Sequence, residues 1–73
     1  MIGNIQERLL EYVSNGQELK YIADFLNLSK LSLKKEIENL EERGYLQVAN
    51  HIDGSIYSCW LTDEGWLYLD ELF

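Results

Sequence analysis

Leu28-Ser29-Lys30-Leu31-Ser32-Leu33-Lys34-Lys35-Glu36-Ile37-Glu38-Asn39-Leu40-Glu41-Glu42-Arg43-Gly44-Tyr45-Leu46 is the stretch around which the chain is organised. Ser29 is a good helix N-cap, because its hydroxyl can accept from a first-turn amide, and Gly44 is a good helix stop. Between them Leu33, Ile37 and Leu40 recur at the four-then-three spacing that lines one side of a helix. Charge is sorted along the same helix. Lys30, Lys34 and Lys35 fill its first half, whereas Glu36, Glu38, Glu41 and Glu42 fill its second. That order opposes the helix macrodipole at both ends, at a cost of roughly a few tenths of a kcal/mol. A helix that accepts this cost is expected to keep its lysines for an external anion, and DNA phosphate is the obvious one.

The whole chain has 73 residues, 47% of them hydrophobic, which predicts one small domain over residues 1–73 with a single core. It contains no apolar run long enough to span a bilayer and no basic-then-apolar leader, so the expectation is a soluble, cytoplasmic protein. Cys59 is the single cysteine and cannot form an internal disulfide. The formal charge of −7 is unfavourable for binding nucleic acid, since non-specific affinity comes mainly from neutralising phosphates. Distribution matters more than the sum. The basic residues are Arg8, Lys20, Lys30, Lys34, Lys35 and Arg43, and three of them fall in a short stretch without an acid. Such a molecule is repelled from DNA in most orientations and attracted in one.

Upstream, Asn4 followed by Glu7 reads as a capping-box-like start, and Ile5, Leu9, Tyr12 and Val13 share a face, so a first helix is expected over residues 5–14. Asn15-Gly16 ends it. Leu19, Ile22, Ala23 and Leu26 form a second, short helical stripe that Asn27 interrupts, with Tyr21 and Phe25 on its flank. The residues around 17–19 read equally as extended chain or as helix. Two helices joined by the turn Asn27-Leu28-Ser29 make a helix-turn-helix.

Downstream of Gly44 the hydrophobic period falls from 3.6 to 2. Residues 45–51 and 55–61 are rich in β-branched and aromatic side chains, and Asp53-Gly54 between them predicts a β-hairpin with a two-residue turn. On that register Leu46 faces Leu61, Val48 faces Cys59 and Asn50 faces Tyr57 on the core side. Gln47 opposite Trp60, Ala49 opposite Ser58 and His51 opposite Ile56 then face outward, and a one-residue bulge would exchange the two sides. Thr62-Asp63-Glu64 opens a last helix with a cap residue and two acids. On this helix Trp66, Leu69 and Phe73 share one side, Leu72 is beside them, and Leu67 and Tyr68 point elsewhere.

The order helix, helix, turn, helix, hairpin, helix resembles a winged helix-turn-helix domain, an α+β and mainly α fold. Ile22-Ala23, Leu26-Asn27-Leu28-Ser29, Ser32-Leu33, Ile37, Leu40 and Gly44-Tyr45-Leu46 resemble the helix-turn-helix phrase of MarR-, PadR- and ArsR-like small regulators. Leu61-Thr62-Asp63-Glu64-Gly65 resembles the phrase with which the wing of MarR- and PadR-like proteins passes into the next helix. The resemblance implies a DNA-binding transcriptional regulator with its recognition helix, Ser29 to Arg43, in the major groove of duplex DNA. The implied DNA-facing residues are Ser29, Lys30, Leu31, Ser32, Lys34, Lys35 and Asn39, with Glu38 also outward. Lysines would meet phosphate or guanine, Ser32 either, Leu31 a thymine methyl and Asn39 an adenine. His51, Asp53, Gly54 and Ser55 form the implied wing, which has no Arg or Lys and carries an acid at its tip.

No catalytic constellation, metal-ligand spacing or glycine-rich phosphate loop is present in the sequence, so neither an enzyme nor a cofactor is expected. The aromatic content is the remaining signal. Trp60, Trp66, Leu67, Tyr68 and Phe73 are the expected partner surface, most simply of a homodimer. The alternative from a different class is an acidic protein-protein interaction module, an adaptor, inhibitor or DNA mimic that does not bind DNA.

Overall fold

Every regular element gives at least one aliphatic side chain to a single core made of Leu9, Leu10, Ile22, Leu33, Ile37, Leu40, Leu46, Leu61 and Leu69. The computed structural model describes residues 3–72. They form α1 (Asn4–Ser14), α2 (Leu19–Leu26), α3 (Lys30–Glu42), β1 (Leu46–Asn50), β2 (Ile56–Leu61) and α4 (Asp63–Leu72). The strands pair antiparallel; α3 packs against β1, and α1 against β2, α2 and α4. Among the described residues no helix is long and apolar enough to cross a membrane.

α1 starts one residue earlier than expected. Gly3 is its N-cap, Asn4 is already helical, and no side chain caps the end. With Gly3 as the cap, Glu7 lies one position beyond that of a capping box, and its carboxylate instead accepts from the Tyr68 hydroxyl at 2.6 Å. The inward stripe is also displaced: Leu10 is buried alongside Leu9, while Ile5 is largely exposed. A helix touched by three other elements buries more than one narrow stripe.

The chain leaves α2 and α3 through the same device. Asn27 takes the left-handed conformation (φ 55°), with Leu28 N–H donating to the Ala23 carbonyl at 2.9 Å. Gly44 (φ 87°) does the same after α3, with Tyr45 N–H donating to Leu40 at 3.0 Å. Both are Schellman motifs, which satisfy the last helical carbonyls and turn the chain sharply. Glu18 is extended and helix begins at Leu19, so the open reading of residues 17–19 resolves into a short linker and a helix start.

The hairpin keeps the expected register near the core, where Leu46 faces Leu61, Gln47 Trp60, Val48 Cys59 and Ala49 Ser58. Beyond Ala49 it departs, and Asn50 faces Ile56 instead of Tyr57. The cause is the turn. His51 N–H donates to Ser55 at 2.7 Å and Gly54 N–H to His51 at 3.0 Å, which leaves three residues in the loop with Gly54 at φ 89°. A three-residue loop ending in a left-handed glycine shifts one strand by a residue. Ile56 therefore packs on the core and Tyr57 is outward, the reverse of the two-residue expectation.

Thr62 fastens α4 to the end of α3. Its hydroxyl donates to the Gly44 carbonyl at 2.5 Å and accepts from Gly65 N–H at 3.1 Å, while its own N–H donates to Tyr45 at 3.1 Å. The inward face of α4 is Gly65, Tyr68 and Leu69, not the Trp66 side. Trp66 is turned outward because Gly65 lies against the Tyr45 carbonyl and Tyr68 reaches Glu7.

Candidate nucleic-acid interface

Ser29 begins α3 as its side chain suggests. The hydroxyl accepts from Ser32 N–H at 3.1 Å and donates to the Ser32 hydroxyl at 3.0 Å. Leu33, Ile37 and Leu40 anchor the helix inward, which leaves Lys30, Leu31, Ser32 and Lys35 exposed and Lys34 partly so. Among the described residues the one ion pair within 4 Å is Lys20 with Glu18, at 3.8 Å, so none of the three lysines of α3 is held in a direct ion pair. The first amides of a helix, free of intrahelical partners, add a positive field at the same end.

Asn39 sits differently. Its Oδ1 accepts from Gln6 Nε2 at 3.0 Å and from Arg43 Nε at 2.9 Å, so this half-buried amide ties α1 to α3. Nothing in the sequence signals that Gln6 is its partner.

At the wing, His51, Asp53, Gly54 and Ser55 are all exposed, and Ile52 between them is fully so. Asp53 Oδ1 accepts from the Ser55 hydroxyl at 2.6 Å and Ser55 N–H at 2.9 Å. These two bonds, the hydroxyl foremost, hold its carboxyl below the ordinary value. The His51 ring packs on Tyr57 with centroids 5.1 Å apart. Ile52 and Tyr57 are outward residues that periodicity does not mark, and the signal that finds them is the length of the loop.

The expected partner residues divide. Trp60, Trp66 and Leu67 are exposed, whereas Tyr68 is half-buried, with its ring 5.3 Å from that of Tyr45. Phe73 lies outside the described residues. Cys59 is partly buried, and burial pushes its thiol up to about 11, so it is protonated at neutral pH. Among the described residues no three His, Cys, Asp or Glu side chains are grouped so as to hold a metal ion.

The arrangement of these elements is found in solved structures. The chain matches the PcaV transcriptional regulator of Streptomyces coelicolor with a TM-score of 0.77 and 20% identity, over 97% of this chain and 52% of that one. It has the winged-helix fold of MarR-family regulators. The zinc-dependent MarR-family transcriptional regulator AdcR gives a TM-score of 0.75 and 25% identity, over 97% of this winged helix and 50% of that chain. The winged helix thus spans about half the length of these regulators. A candidate DNA-binding protein from Ralstonia eutropha JMP134 is matched nearly end to end, with a TM-score of 0.71 and 25% identity over 100% of this chain and 99% of that one. No protein-family model and no curated protein sequence matches the chain.

Proposed function

We propose that this winged helix is a DNA-binding transcriptional regulator that inserts α3 into the major groove of duplex DNA. The observation that carries the reading is the lysine cluster in the first half of α3: Lys30, Lys34 and Lys35, on the helix that follows the turn, have no carboxylate within 4 Å among the described residues. The structural likeness to transcriptional regulators supports it. In this reading the lysines meet phosphate or guanine, Ser32 a base or phosphate, and Leu31 a thymine methyl. Ser29 shapes the helix start, and Asn39 sets the angle of α3 against α1 in place of reading a base. His51 and Ser55 lie at the backbone beside the groove, with Asp53 opposing that approach. Two copies on half-sites about one helical turn apart complete the proposal, since pairing doubles the small number of phosphate contacts.

Duplex binding measured by fluorescence anisotropy across a salt series tests it. The expected result is affinity that falls steeply with salt and a slope about 5.4 units shallower for the paired copies (about 2.7 per bound chain) when all three lysines become alanine, if each meets one phosphate. Binding absent at low salt, or unchanged in the triple variant, overturns the reading.

A further inference from the structure

α4 turns toward solvent a face on which acids and large apolar side chains alternate. Trp66 and Leu67 follow Asp63 by three and four residues, and Asp70 and Glu71 follow them by four. These five share one side of the helix, opposite Gly65, Tyr68 and Leu69. Trp66 is 49% exposed and Leu67 54%. The outer side of the hairpin runs into the same surface, because Trp60, 48% exposed, lines an open groove with Gln47, Thr62, Asp63 and Glu64. Asp63 borders both parts. From Gly44 onward the sequence contains Asp53, Asp63, Glu64, Asp70 and Glu71 but no lysine or arginine.

This pattern selects among occupants. Covering the indoles and Leu67 with an apolar surface alone strips water from the interleaved carboxylates without replacing it, and unpaired buried charge is costly. A second copy laid face to face sets the same acids against one another, and DNA meets them with like charge. Arginine satisfies both components at once: its guanidinium stacks on an indole and pairs in bidentate fashion with a carboxylate.

We propose that the surface formed by Trp60, Asp63, Glu64, Trp66, Leu67 and Asp70 docks an arginine-bearing amphipathic segment of a partner protein. No α3 residue belongs to this surface, so one chain can hold DNA and a protein together. A synthetic amphipathic peptide of leucine and arginine is the probe, titrated into the full chain at ~150 mM salt, where long-range attraction is screened. Trp60 and Trp66 are the chain's two tryptophans, so their indole N–H resonances report directly on the surface.

The expected result is saturable movement of both resonances, with about tenfold weaker binding in Trp60→Ala and in the Asp63→Asn, Glu64→Gln double variant. The lysine version of the peptide binds several-fold more weakly. Neutralising Glu36, Glu38 and Glu41 on α3 leaves affinity unchanged. Equal loss from those α3 changes means that binding follows net charge, and it overturns the proposal. So does an arginine peptide that moves neither indole, or self-association that Trp60→Ala abolishes. Should Trp60→Ala lose cooperative unfolding, the double carboxamide variant decides, because it keeps every apolar contact.

Discussion

Gly65 lies so close to Tyr45 that a methyl group on it would overlap the Tyr45 carbonyl oxygen, and Leu61 would crowd it from a second side at 3.3 Å. That oxygen is fixed, since it accepts from Thr62 N–H. Alanine in place of glycine normally stabilises a helix by about 1 kcal/mol. Here the sign reverses. Gly65→Ala is expected to cost about 2 kcal/mol, within the usual range for overpacking a closed contact, read as a lower urea midpoint at unchanged slope.

Thr62→Val tests the same junction from the other side. Valine keeps the shape but removes the hydroxyl, so the Gly65 amide loses its cap and the Gly44 carbonyl a donor. A cost of about 1–2 kcal/mol is expected. Thr62→Ser retains the hydroxyl and should recover most of it, as urea unfolding of both variants will register.

The resemblance of Leu61-Thr62-Asp63-Glu64-Gly65 to a wing-to-helix phrase thus has a physical basis, because the threonine and the glycine each fasten α4 to the end of α3. Such local chemistry is what the sequence carries well. The Ser29 cap and the Gly44 stop follow from residue type alone, and the four hairpin pairs nearest the core match the register counted from a two-residue Asp53-Gly54 turn, because the bulge beside Asn50 offsets the longer loop. Three features do not follow in this way. The bulge depends on whether the loop takes two residues or three, and Asp53-Gly54 is compatible with both. The inward face of α4 is chosen by Tyr68 reaching Glu7, 61 residues earlier in the chain. The tie from Asn39 to α1 is likewise hidden, since its partner Gln6 lies 33 residues away in the chain. Periodicity reports which face is apolar, but not which long-range polar pair rotates the helix.

Asn39 therefore gives a separable prediction. Asn39→Ala removes the shared acceptor of Gln6 and Arg43 and is expected to lower stability by about 1 kcal/mol. Its effect on DNA affinity should be uniform across target sequences, because the change alters how α3 is held. Loss confined to targets with adenine at one position would instead assign Asn39 to base reading, and a panel of single-position operator variants distinguishes the two.

Cys59 ties stability to alkaline pH. Its thiol is raised from 9.0 to about 11 by burial, so between those values the folded chain holds a proton that the unfolded chain has released. Stability from this group is full below about pH 9 and is lost as pH rises through 11. Iodoacetamide labelling should be slow at pH 8 in the folded chain and rise with a midpoint near 11, moving to about 9 in denaturant.

The wing offers a direct test of where DNA lies. The Ser55 hydroxyl and amide hold the Asp53 carboxyl below its ordinary value, so the tip is anionic at neutral pH. These bonds to the ionised carboxylate support the turn above the ordinary value and lose that support as pH falls through the lowered one. Asp53→Asn removes the charge while keeping an oxygen that can accept from Ser55. If the wing lies beside the backbone, relief of repulsion is expected to tighten binding about two- to threefold at low salt. The gain should shrink as salt is added and persist when Lys30 alone is replaced, because it arises at a different part of the surface. Equal affinities of the parent chain and the Asp53→Asn variant across the salt series would place the wing away from DNA and leave α3 as the contact.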